Sequence, residues 1–222
     1  MAPGFFLTFE GLDGSGKTTQ LRRLASWLEA RGEHPLVTRQ PGGTKAGDRI
    51  RTLLLDSKTE AVAPLTELGL MFADRAQTIA EVIAPALHRG ETVLCDRFTD
   101  STEAYQGGGR QLGSEVVLAL HQIMCGGLLP DLTFLLLPDF ELSLQRARRR
   151  NARPGTVDEG RFEREDNQFY RRVFDRYREI AARDPVRVVV IDGDPPIEEV
   201  HQNIVRLVKQ RMAERLRTAA AR

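Results

Sequence analysis

The chain has 222 residues, 41% hydrophobic and 28% charged, which suits one α/β domain with a substantial core. Its formal net charge of +1 supplies no whole-molecule field for nucleic acid or an anionic membrane. No run approaches the ~20 apolar residues of a membrane span, and two cysteines, Cys95 and Cys125, make no disulfide framework and fit a reducing compartment. Residues 1–4 lack the basic and apolar regions of a signal peptide, so a cytoplasmic location is expected.

Phe5 to Phe9 is an apolar run of strand length. Directly after it, Gly11-Leu12-Asp13-Gly14-Ser15-Gly16-Lys17-Thr18 matches G-x-x-x-x-G-K-[ST], the phosphate-binding loop. Glycines let consecutive backbone N–H groups face a phosphate chain without a Cβ in the way. A helix starting near Lys17 adds the positive end of its dipole. The Lys17 ammonium suits β- and γ-phosphates, and the Thr18 hydroxyl suits Mg²⁺. The motif has meaning only between a strand and a helix. Leu21, Leu24, Ala25 and Leu28 recur at helix spacing and Gly32 is a stop signal, so both conditions are met.

Leu36 to Thr38 reads as a second strand leading into the turn Arg39-Gln40-Pro41-Gly42-Gly43. A polar helix is expected from Asp48 to Leu55. Pro64 opens a long helix whose apolar face is Leu65, Leu68, Phe72, Ile79, Val82 and Ile83. Pro85 kinks or restarts it and Gly90 ends it. Thr92 to Asp96 is a third strand that ends in a carboxylate. Gln106 to Arg110 is expected as a Gly-rich loop, followed by a helix from Ser114 to Met124. Leu132 to Leu137 and Val186 to Ile191 are apolar runs of buried strands, and a helix from Ile197 follows.

Strands alternating with helices predict a doubly wound parallel sheet of five strands, α/β, with helices on both faces. Ligands of such sheets sit beyond the carboxyl ends of the strands. The glycine loop, Arg39, Asp96-Arg97 and the segment after Leu137 fall on that edge. Asp96, at a strand end, is where a Mg²⁺-associated carboxylate belongs, so Thr18 and Asp96 form the candidate metal set. The planar fork of Arg97 suits a pair of phosphate oxygens. Arg39, Arg75, Arg97 and Arg110 come from separate segments and suggest a second anionic ligand beside a triphosphate. The loop alone leaves water, protein or a small molecule open as the acceptor. Arg146 to Gly155 holds five arginines before a Pro-Gly turn. This is either a solvated helix face, a nucleic-acid patch, or a lid that brings Arg onto a transferring phosphoryl group; the position after the fourth strand favours the lid.

Five segments stand together in order: Gly11 to Thr18, Thr38 to Gly43, Asp96-Arg97, Ser101-Thr102-Glu103-Ala104-Tyr105-Gln106-Gly107, and Pro130 to Thr133. In them the chain resembles the thymidylate kinase family, a family of P-loop NTPase fold, over nearly its whole length. The resemblance implies one domain over 1–222 with an Arg-rich lid at about 146–162. It implies phosphoryl transfer from ATP to dTMP with Mg²⁺, and a homodimer through the long helices; the charge balance and the lack of a long apolar run lead to an expectation of no nucleic-acid or membrane partner. Gly11, Leu12, Asp13, Gly14, Ser15, Gly16, Lys17 and Thr18 would hold ATP, with Arg146 or Arg150 along the adenine. Arg39 and Arg97 would hold the dTMP phosphate, Asp13 the sugar region, and Arg75 the thymine edge. Ser101, Thr102, Tyr105 and Gln106 would line the base and deoxyribose. Lys17, Asp13, Arg97, Arg150 and Arg153 would act on the transferring group. The chain departs from the family where Gln40 replaces a Glu. It departs again where Met71, with Phe72 beside it, replaces the aromatic that stacks on thymine, so either Met71 packs on the base through its thioether or a helix distortion brings Phe72 in. A third departure is Leu137, which stands where an Asp usually ends the fourth strand.

Overall fold

The computed structural model describes residues 4–59, 61–151, 161–162 and 165–220. Its centre is a five-stranded parallel sheet in the order β2-β3-β1-β4-β5. The strands are β1 (Phe5–Glu10), β2 (Leu36–Arg39), β3 (Thr92–Asp96), β4 (Leu132–Leu136) and β5 (Val188–Ile191). Side chains alternate across β1, as a period of two requires. Phe5, Leu7 and Phe9 pack with Leu21, Leu24 and Leu28 of α1 (Lys17–Glu29) and with Ile204 and Val208 of α9 (Ile197–Ala220). Phe6 faces the other layer, with Ile83, Ala86 and Phe98. Thr8 and Glu10 follow Phe6 on that face and are fully buried. Each buried Leu or Phe contributes roughly 1.5–3 kcal/mol, so helices on both faces are held by the sheet's own apolar rows.

The register explains the common edge. Cα pairing sets Arg39 beside Asp96 and Asp96 beside Phe9. The glycine loop, which follows β1, therefore opens next to the ends of β2 and β3.

Several boundaries differ from the sequence expectation, each for a local reason. α2 (Lys45–Leu55) starts before Asp48, because the Thr44 hydroxyl accepts from Gly47 N at 2.9 Å and caps it. Leu65 of α3 (Pro64–Thr78) is 64% exposed and leaves the expected apolar face, while Leu68, Phe72 and Ile83 are fully buried. Between α3 and α4 (Ala84–His88) the helix widens into a π-turn at Ile79–Ile83. Pro85 has no N–H for the α-helical ladder, and a widened turn just before it accommodates the ring. β5 begins at Val188, and Val186 is exposed.

The expected Gly-rich loop is helical instead. The short helix α5 (Thr99–Thr102) continues as a π-turn over Glu103–Gly109, before α6 (Ser114–Cys125). Its glycines are a packing surface. A Cβ on Gly108 would lie 2.8 Å from Arg176 Cβ, and one on Gly109 2.5 Å from Phe169 Cε2. Both neighbours belong to α8 (Asn167–Arg183), a helix that was not anticipated from the sequence. Its Arg-rich outer face dilutes the apolar count. Phe169, Tyr170, Val173, Tyr177, Ile180 and Ala181 nevertheless form one buried stripe.

α7 (Phe140–Asn151) carries the first part of the expected lid. The rest of that expectation falls mainly on residues 152–160. Arg153 lies outside the described residues, and so does the side chain of Arg150. Both cysteines are free and buried. Among the described residues no helix is long and apolar enough to cross a membrane.

Candidate active site

The glycine loop wraps the Lys17 ammonium. Lys17 Nζ donates to Gly11 O at 3.0 Å and Leu12 O at 2.7 Å. Gly11 takes φ 132°, and a Cβ there would lie 2.1 Å from Leu136 O. Only glycine lets the loop pass so close to β4. Burial, with the charge of Arg97 next, lowers the Lys17 ammonium from its ordinary 10.5 to about 8. At the start of α1, Thr18 Oγ1 donates to Asp96 Oδ2 at 2.6 Å, which brings the two candidate metal ligands together.

The residue after Asp96 links donor loop and acceptor wall. Arg97 adopts φ 69°, in the left-handed region, and its N–H donates to Phe9 O at 3.0 Å. This turns the guanidinium back beneath the loop. Nη1 donates to Gly11 O and Ser101 Oγ, each at 3.0 Å, and to Tyr177 Oη at 3.3 Å. Nη2 pairs with Asp13 Oδ1 at 2.9 Å and reaches Tyr105 Oη at 3.4 Å. Burial opposes its charge, but Tyr105, Asp13 and Tyr177 hold it well above the ordinary arginine value.

A second wall comes from α3 and the turn after β2. Arg75 is 2% exposed. Its Nε donates to Gln40 Oε1 at 2.7 Å, and Nη2 to Thr102 Oγ1 at 2.8 Å and Phe98 O at 3.2 Å. Gln40 thus gives Arg75 a neutral partner. Asp74 Oδ1 accepts from Gly42 N at 2.8 Å and Thr78 Oγ1 donates to Gly42 O at 3.0 Å, which ties the turn to α3. Burial first of all raises the Asp74 carboxyl to about 6.

These parts enclose a cleft of about 840 Å³. Asp13, Lys17, Thr18, Asp96 and Arg97 line one part of it. Arg39, Met71, Arg75, Ser101, Thr102, Tyr105 and Gln106 line the rest. Most of the expected site residues therefore share one cavity. Of the two alternatives for the base only Met71 lines the cleft, and Arg110 departs from expectation. Phe72 is fully buried with Leu68, Val117 and Cys125, so the wall at this point is Met71. Arg110 does not join the other arginines; it pairs with Glu67 at 3.1 Å and Glu165 at 2.6 Å. Arg146 Nη1 donates to Gly193 O at 2.9 Å, just beyond β5. Arg39 stays at the rim, 56% exposed and 3.6 Å from Asp48.

Other residues had not been expected. Arg51 lines the cleft and donates to Pro41 O at 2.8 Å. Its sequence signal was weak: one more basic residue on a polar helix. Glu10 lies behind Arg97. Its Oε1 accepts from Phe98 N at 2.7 Å, and its Oε2 accepts from Ser101 Oγ and from Tyr177 Oη at 3.2 Å. Burial, then the charge of Asp100, raises the Glu10 carboxyl to about 7. The signal for Glu10 was legible: a carboxylate on an otherwise apolar strand, one residue before the glycine loop.

The family model described as thymidylate kinase matches residues 9–204. The thymidylate kinase of Desulfovibrio desulfuricans is 50% identical over 196 residues, covering 88% of this chain and 90% of that protein. That of Citrifermentans bemidjiense is 48% identical over 209 residues, covering 94% and 93%. A crystal structure of thymidylate kinase from Ehrlichia chaffeensis superposes with a TM-score of 0.74 at 33% identity, over 93% of this chain and 99% of that one. With the loop, the arginine walls and these likenesses together, the chain belongs to the thymidylate kinase family.

Proposed function

We propose that the chain transfers the γ-phosphoryl group of ATP to dTMP, giving ADP and dTDP, a step in dTDP synthesis. The observation that carries this reading is the single cleft shared by the Lys17 loop and the Arg97–Arg75 walls. A cradle for one polyphosphate and a cationic pocket for a second nucleotide open onto the same space.

Lys17 and the loop amides bind the donor phosphates. Ser15 Oγ is buried there with no hydrogen-bond partner among the described residues, an orphan that a phosphate oxygen would satisfy. Arg97, with Arg39 and Arg51 nearer the rim, takes the acceptor phosphate, and Asp13 holds Arg97 in register. Arg75 and Gln106 meet the base, Met71 packs on it, and Tyr105 crowds the sugar. The acceptor oxygen is already anionic, so no general base is required. The protein contributes alignment and cancellation of charge repulsion.

The donor set Thr18 Oγ1 and Asp96 fits Mg²⁺, a hard cation that takes oxygen ligands and fills most positions with water and nucleotide phosphates. When bound, the ion would offset phosphate charge.

Two broader readings belong with this one. A second copy of the chain would cover Leu65 of α3 and Val116 and Ile123 of α6, all exposed apolar side chains on neighbouring helices; light scattering reads the resulting mass. The free, buried cysteines fit a cytoplasmic setting. The decisive test is coupled ADP release with ATP and Mg²⁺ across dTMP, dUMP, dCMP and dGMP. Strong preference for dTMP is expected. ADP release that ignores the acceptor would overturn the assignment.

A further inference from the structure

Glu67 lies on α3, outside the cleft lining, and is fully buried. Four hydrogen bonds converge on its carboxylate. Oε1 accepts from Gln106 Nε2 at 2.8 Å and Arg110 Nε at 3.1 Å. Oε2 accepts from Arg110 Nη2 at 3.1 Å and Arg161 Nη2 at 2.6 Å. A carboxylate has about four lone-pair positions, so this one is saturated. Its donors are themselves fixed. Arg110 Nη1 pairs with Glu165 at 2.6 Å, and its guanidinium stacks 4.9 Å from the Phe169 ring. Arg161 Nε donates to Leu54 O, and the Arg161 backbone N–H donates to Leu55 O at 3.1 Å.

The consequence falls on Gln106, which is 1% exposed and lines the cleft. An amide has two ends, a donor and an acceptor, and burial alone does not choose between them. A carboxylate held by two guanidinium groups offers only lone pairs, so the amide must present its nitrogen to Glu67. Turned the other way, it would set lone pair against lone pair. Among the described residues no donor reaches Gln106 Oε1.

We propose that Glu67 is a specificity-determining positioning residue. By holding Gln106 Nε2 it leaves Gln106 Oε1 as the acceptor offered to the base. The site then takes a pyrimidine carrying N–H at position 3 and rejects one with a lone pair there. This rests on the reading of the cleft as the dTMP site and adds the residue that sets its polarity. Glu67 touches no substrate; it acts through Gln106, with Arg110 and Arg161 as its anchors.

The test is binding calorimetry with dTMP, dCMP and 3-methyl-dTMP, run beside turnover. Wild-type protein is expected to bind dTMP roughly ten- to a hundredfold more tightly than either analogue, since a mismatched buried polar pair is costly. Glu67→Gln can present either end to Gln106, so the preference for dTMP over dCMP should shrink by about tenfold, with KM for ATP unchanged. Gln106→Leu should shrink it equally, and the double variant no further. A folded Glu67→Gln protein that keeps the wild-type dTMP:dCMP ratio overturns the proposal, as would a purely structural Glu67 that changes only the melting temperature. If Glu67→Gln does not fold, the wild-type analogues decide: equal binding of dTMP and 3-methyl-dTMP overturns it. dTMP bound with this selectivity but not phosphorylated would sink the kinase reading and leave Glu67 in its role.

Discussion

Arg97 Nη2 and Asp13 Oδ1 stand 2.9 Å apart, which joins the turn after β3 to the glycine loop. The pair lies between the cradle that suits a donor and the wall that suits an acceptor. Neither partner is free to drift, because Arg97 also donates to Gly11 O and Ser101 Oγ. A left-handed backbone at Arg97 costs on the order of 1–3 kcal/mol, and these contacts hold it.

Arg97→Lys keeps the charge but loses the planar fork. An ammonium cannot meet Asp13, Ser101 and a phosphate together. Turnover with dTMP should fall by roughly 10³, while far-ultraviolet dichroism stays native. Steady-state kinetics on the folded variant check this. Near wild-type kcat/KM would remove Arg97 from the reacting phosphates.

Lys17 titrates near 8 in the free protein because burial and Arg97 disfavour its charge. Donor phosphates favour the charged form, so binding must raise that value. At pH 8 the protein is therefore expected to take up a proton as ATP binds, and to take up less at pH 7. Calorimetry in buffers of different ionisation enthalpy measures the count. Lys17→Met should abolish the pH dependence; if it persists, another group carries the proton.

Glu10 has the opposite sign problem. Its carboxyl is raised from an ordinary 4.5 to about 7, so between those values the folded protein holds a proton that the unfolded chain has lost. Stability from this group falls as pH rises through that window. Glu10→Gln can still accept from Phe98 N and donate toward Ser101 and Tyr177. The variant should gain stability relative to wild type between pH 5 and pH 8, read from urea midpoints at both values. A constant difference would mean that Glu10 does not titrate in that range.

Gly109 is a packing position. A Cβ there would lie 2.5 Å from Phe169 Cε2 and 2.9 Å from Val173 Cγ2. Gly109→Ala should destabilise the fold by about 1–3 kcal/mol through overpacking, and should weaken dTMP binding because the same turn carries Tyr105 and Gln106. Urea unfolding gives the first number. An alanine variant as stable as wild type would show that α8 yields easily.

The sequence by itself determined the parallel α/β architecture, the glycine loop with Lys17 and Thr18, and Asp96-Arg97 at a strand end. These are local statements. Strand period, helix period and a fixed-spacing phosphate motif are written in consecutive residues, and β1 to α1 needed nothing else. The tertiary structure alone decided what depends on distant segments meeting. Gly108 and Gly109 read as part of a loop because their reason for being glycine is α8, some sixty residues later. Phe72 and Met71 are neighbours in sequence, yet a helical step of about 100° sends one into the core and the other into the cleft. Arg110 looked like a ligand arginine until Glu67 and Glu165 were seen to claim it. Charge shows that a side chain is able to bind an anion; only packing shows whether another part of the protein has already supplied one.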